Sequence, residues 1–169
     1  ITGRLASDAS VRGPYVITVT ATDDQGAAVT DRFTLSANNT VPVAAADTAS
    51  TPADQALASA PGAGVLANDR DADGDRLVVS QINGEANALG RSVAGDQGGL
   101  FRINADGSYT FDPNGAFDTL AAGQSAITSV SYTVSDGQGG TRQSDLTVTV
   151  QGVSDAPTVM PIDDQNARD

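Results

Sequence analysis

The sequence predicts an all-β protein built of sandwich domains in tandem. Three observations carry that prediction. Apolar and polar residues alternate with a period of two in several segments, glycine- and asparagine-rich turns separate those segments, and one hairpin pattern occurs twice. Composition agrees. Of 169 residues, 39% are hydrophobic but only 4% aromatic, so the core must be aliphatic and thin. Glu85 is the lone glutamate, and the nine basic residues are all arginine. Glutamate and lysine favour surface helices, and their near absence argues against helix.

The first strand is read from Tyr15, Ile17, Val19 and Ala21 on one face, with Val16, Thr18, Thr20 and Thr22 on the other. The turn Asp23-Asp24-Gln25-Gly26 follows, and then a strand that carries Phe33 and Leu35 on one face. Further along, Leu77-Val78-Val79 reads as a short strand. Phe101-Arg102-Ile103 and Ser108-Tyr109-Thr110-Phe111 read as a hairpin turning at Asn104-Ala105-Asp106-Gly107, where glycine supplies a positive φ. Ala116 to Ile127 is ambiguous. Phe117 and Leu120 are its core anchors, and Gly123 limits any helix to a turn or two. Val130, Tyr132 and Val134 then alternate with polar residues into Asp136-Gly137-Gln138-Gly139, and a last strand has Leu146, Val148 and Val150 on one face.

This last hairpin repeats the first at a constant offset of 113 residues, with Asp23 matching Asp136, Gln25 matching Gln138, Gly26 matching Gly139, and Phe33 matching Leu146. Each is followed by a polar linker and a proline, Asn38 to Pro42 and Gly152 to Pro157. The expected organisation is therefore one complete sandwich at 39–153, the closing strands of a preceding domain at 1–38, and a linker with the first strand of a following domain at 154–169. Ile1-Thr2-Gly3 already reads as mid-domain sequence, as if excerpted from something longer.

The most acidic stretch is Asn68-Asp69-Arg70-Asp71-Ala72-Asp73-Gly74-Asp75, within a chain of net charge −12. Carboxylates at alternate positions of a short loop repel one another unless they splay into water or share a cation. Asp is a short, hard oxygen ligand, so calcium is the expected ion. Asp69-x-Asp71-x-Asp73-Gly74 matches the opening of an EF-hand loop, but the twelfth position is Ser80 and no helix is expected on either side. The expected ligands are Asp71 and Asp73, then Asp75, Asp69 and Asn68. Asp47 and Asp155 at the junctions, with Asp136 and Asp23 at the two hairpin turns, complete the candidate set. A solvated acidic loop is the alternative, and Asp before Gly in a turn is ordinary.

Other chemistry is poorly supplied. Cysteine and histidine do not occur, which removes disulfides, thiolate metal sites, Ser-His-Asp catalysis and His-ligated zinc or iron. Nothing marks two particular aspartates as a glycosidase pair, so no enzyme is expected. The acidity argues against nucleic acid, and no apolar run approaches membrane-spanning length. Asn38-Asn39-Thr40 is an N-glycosylation sequon.

Residues 41–157 resemble the VCBS-type, cadherin-like repeats of bacterial RTX-type surface adhesins. The resemblance rests on Val65 to Asp75, Ala105 to Pro113, Phe117 to Ser125 and Ser131 to Gly140, in that order. Ile1 to Leu5 and Tyr15 to Asp24 resemble the last strands of a dystroglycan-type cadherin-like domain, and Pro157 to Gln165 the opening strand of another. The chain departs from the DxNDN calcium linker of animal cadherins, since the first junction offers only Asn38 and Asn39. The resemblance implies Ig-like, Greek-key β-sandwiches in tandem, calcium-stiffened, secreted or held at the bacterial cell surface, and serving adhesion or biofilm cohesion. The expected partners are calcium ions, neighbouring domains of the same chain, and like chains that complete an edge strand. A carbohydrate- or protein-binding module and a self-assembling fibre subunit are the rival readings.

Overall fold

A computed structural model describes residues 13–154. It is an all-β structure. The first hairpin joins β1 (Tyr15–Thr22) to β2 (Ala28–Leu35), paired from Tyr15↔Leu35 to Thr22↔Ala28. Next come β3 (Asp47–Pro52), β4 (Leu57–Ser59), β5 (Val78–Ile82) and β6 (Val93–Ala94). The chain finishes with β7 (Leu100–Ile103), β8 (Tyr109–Asp112), β9 (Ser125–Ser135) and β10 (Thr141–Gln151).

Two four-stranded sheets form the sandwich, one in the order β3-β10-β9-β5 and the other β4-β8-β7-β6. Every pairing is antiparallel except that of β3 with β10. Alternation explains the core. Val130, Tyr132 and Val134 of β9 and Leu146, Val148 and Val150 of β10 point inward and are buried, while their neighbours face out. Phe101, Ile103, Tyr109 and Phe111 cover them from the second sheet. Three phenylalanine rings meet at a tilt in the core, with Phe101 and Phe111 centroids 4.7 Å apart and Phe117 6.4 Å from Phe111.

On β5, Val79 and Ile82 are both buried although they lie three positions apart. A regular strand would send them to opposite faces. The pairing skips Ser80 between Val79↔Val134 and Gln81↔Thr133, and this bulge returns Ile82 to the core. Ala116 to Ile127 is no helix. It runs as turns that bury Phe117 and then enters β9 at Ser125.

The β1–β2 hairpin reproduces β9–β10 pair for pair: Tyr15↔Leu35 becomes Thr128↔Val148, and Thr22↔Ala28 becomes Ser135↔Thr141. Burial does not follow. Phe33 is 51% exposed where Leu146 is fully buried. The expectations placed on Ile1 to Leu5, on Asp155 and on Pro157 to Gln165 lie outside the described residues.

Candidate metal centre

The loop before β5 is folded by its own aspartates. Asp71 Oδ1 accepts the backbone N–H groups of Asp73 (2.9 Å) and Asp75 (3.1 Å), while Gly74 takes the positive φ that closes the turn. This local bonding gathers one carboxylate oxygen each from Asp71, Asp73 and Asp75 within 4.8 Å of one another. At an effective dielectric of about 20, two full charges that close repel by roughly 3 kcal/mol, and by less where water reaches them, as at exposed Asp73. Asp71 Oδ2 is buried and receives no donor. Arg70 does not neutralise the group, because its Nη1 donates to the carbonyls of Asp69 (2.7 Å) and Ala67 (3.4 Å).

The linker that leads into the sandwich lies against this loop. Asp73 Oδ2 accepts the N–H of Thr40 at 2.6 Å. One residue earlier, Asn39 Nδ2 donates to Asp136 Oδ2 at 2.7 Å. A carboxylate can only accept, so that contact fixes the amide's orientation and leaves Asn39 Oδ1 buried without a donor. Asp136 is itself 3% exposed, and its Oδ1 accepts Gln138 N (2.7 Å) and Gly140 N (2.9 Å). Burial works to raise its pKa, but these donors outweigh burial and hold it below the ordinary carboxylate value. Gly140 is required here: a Cβ would collide with the Asp136 carboxylate.

A second group of acids sits where β3 begins. Asp47 Oδ2 accepts the Tyr132 hydroxyl at 2.6 Å, and the same hydroxyl lies 3.2 Å from Ala45 O and 3.1 Å from Val65 O. Asp69 is 5% exposed; its Oδ1 accepts Ala45 N at 2.9 Å, and its Oδ2 is buried with no donor. Asn68 Nδ2 donates to Ala46 O at 3.4 Å, and its side chain also steadies Asp47. Burial pushes both carboxyls above their ordinary values, and the Asp69 charge raises Asp47 further. Burial likewise raises the Tyr132 phenol, as does its bond to Asp47.

The sequence candidates thus fall into separate places. Asp71, Asp73 and Asp75 converge, while Asp47, Asn68 and Asp69 gather beside Tyr132. Asp136 touches the linker. Asp23 caps the β1–β2 turn through Gln25 N (3.0 Å) and Ala27 N (2.8 Å), as Asp136 caps its own turn. Asp155 lies outside the described residues. The sequence reading missed what Asn39, Thr40 and Tyr132 contribute. Their partners are 97, 33 and 85 residues away, beyond any local pattern.

Comparison with known proteins supplies the context. A family model described as "bacterial cadherin-like domain" matches residues 39–152. No curated protein matches. A solved structure is similar at 16% identity, over 69% of this chain and 26% of that one, with a TM-score of 0.39. It is a nucleoside hydrolase-related hypothetical protein from Saccharophagus degradans that is associated with carbohydrate metabolism. The chain spans about a quarter of that protein.

Proposed function

The chain belongs to the family of bacterial cadherin-like domains, and on that footing we propose that it is a calcium-stiffened extender segment of a secreted bacterial surface adhesin or extracellular filament. The family makes it an extracellular module of structural or adhesive type. Among the described residues, no helix is long and apolar enough to cross a membrane. The finer identity follows the sequence motifs: a VCBS-type repeat of an RTX-type adhesin, contributing to biofilm cohesion, with a mechanical rather than catalytic role.

The observation that carries this reading is the convergence of Asp71, Asp73 and Asp75 on the loop that receives the linker. An acceptor-rich, donor-poor cluster suits a hard cation, and Asp71 Oδ2 is a buried oxygen waiting for a positive partner. Asp71, Asp73 and Asp75 would hold calcium. The ion would supply charge neutralisation and fix the loop against residues 39–40, restricting the bend at that junction. The preceding and following domains of the same chain are the partners this requires, and the repeat of β9–β10 in β1–β2 supports a preceding domain. Assembly with like chains is a second reading. It is favoured by the apolar face of the hairpin, where Val29 is 72% and Phe33 51% exposed.

Calcium that binds only the folded state adds RT ln(1 + [L]/Kd) of stability, and extracellular modules commonly have Kd on the order of 10⁻⁴ to 10⁻³ M. Thermal unfolding in excess chelator and again in millimolar calcium tests the reading. A rise in Tm of about ten degrees is expected. Asp73→Asn should abolish most of that rise while leaving the chelator melt nearly unchanged. Equal melts with and without calcium would sink the proposal.

A further inference from the structure

We propose that Asp47 and Asp69 form a second position for a hard divalent cation, calcium by its extracellular supply, separate from the group of Asp71, Asp73 and Asp75. The site is made of oxygens short of hydrogens to accept. Asp69 is 5% exposed, and its Oδ2 is sealed from water with no donor, which is the costliest state for a carboxylate. Its other oxygen is anchored to Ala45 N, two residues before Asp47. At Tyr132 Oη, three oxygens stand within 3.2 Å: Ala45 O, Val65 O and Asp47 Oδ2. The hydroxyl has one hydrogen to offer them. Arg70, the nearest guanidinium in sequence, is turned to backbone carbonyls.

Two carboxylates therefore share a donor-poor pocket, and the Arg70 charge reaches Asp69 only from a guanidinium bonded to backbone carbonyls. All the available ligands are oxygens, which selects calcium over softer metals. The structural consequence is specific. Asp47 is the first residue of β3, a six-residue edge strand and the one parallel pairing in the sandwich. Parallel pairs are slightly weaker per residue than antiparallel ones. A cation between Asp47 and Asp69 pins the start of that strand to the acidic loop and, through Tyr132, to β9.

Calcium titration by calorimetry on the whole chain, joined to hydrogen exchange along β3, tests this. Wild type should bind two equivalents. Asp69→Asn and Asp73→Asn should each bind one, and only Asp69→Asn should lose calcium-dependent protection of the β3 amides. Asp47→Asn serves as the second variant should Asp69→Asn fail to fold, and its expected result is the same. The proposal is overturned if Asp69→Asn or Asp47→Asn keeps wild-type stoichiometry and β3 protection. A wild type that binds one equivalent, lost in Asp73→Asn and kept in Asp69→Asn, overturns it too, while leaving the first calcium reading intact. Loss of all binding in Asp69→Asn would mean one shared site, and no binding by wild type would remove both readings.

Discussion

At the scale of single residues, this protein sorts chemically identical aspartates by the company each keeps. Asp136 has three N–H donors and a pKa below its ordinary value, whereas Asp47 and Asp69 are raised by burial. The signs predict a two-phase acid response in chelator. A raised carboxyl opposes folding at neutral pH, so stability from Asp47 and Asp69 should grow as pH falls through their folded pKa values toward the reference of 3.8. A lowered carboxyl acts oppositely. The contribution of Asp136 is full above its unfolded value and lost as pH falls through its folded one. Urea unfolding across pH should therefore show a mildly acidic maximum that shrinks in Asp69→Asn, and a steep acid limb that softens in Asp136→Asn. A flat profile in wild type would contradict both assignments.

At the scale of elements, the two hairpins share a register and differ in what covers them. Leu146→Ala empties a closed core and should cost about 2–5 kcal/mol of sandwich stability. Phe33→Ala, at the matching position of β1–β2, should shift the same denaturant midpoint by less than about 0.5 kcal/mol. Comparable losses would show that the hairpin face is packed in solution. This scale also decides what could be read in advance. The strands β7 to β10 announced themselves because their apolar residues alternate and glycine turns bound them. By contrast β3 (Asp-Thr-Ala-Ser-Thr-Pro) has almost nothing apolar to alternate, being an edge held by backbone bonds. The β5 bulge hid as well, since its extra residue breaks the period a reader looks for.

At the scale of the whole molecule, the acidic loop was legible because its aspartates are neighbours in sequence. Its surroundings were not, because Asn39 meets Asp136 and Asp47 meets Tyr132 only once the sheets have closed. The pairing of β3 with β10 has a consequence of its own. The chain enters the sandwich at Asp47 and leaves it at Gln151, on adjacent strands running the same way. Tension on the two ends drags these strands past each other in shear, so the backbone bonds of all six residue pairs bear the load together. The β1–β2 hairpin, whose ends Tyr15 and Leu35 lie side by side, would instead unzip one pair at a time. Single-molecule pulling from residues 39 and 152 should then give one abrupt rupture, at a force well above that of the isolated hairpin. A gradual extension would argue against the shear geometry. Forced unfolding is governed by the unfolding rate rather than by equilibrium stability. A domain sheared in this way can thus serve as a tether that resists pulling whatever its equilibrium stability.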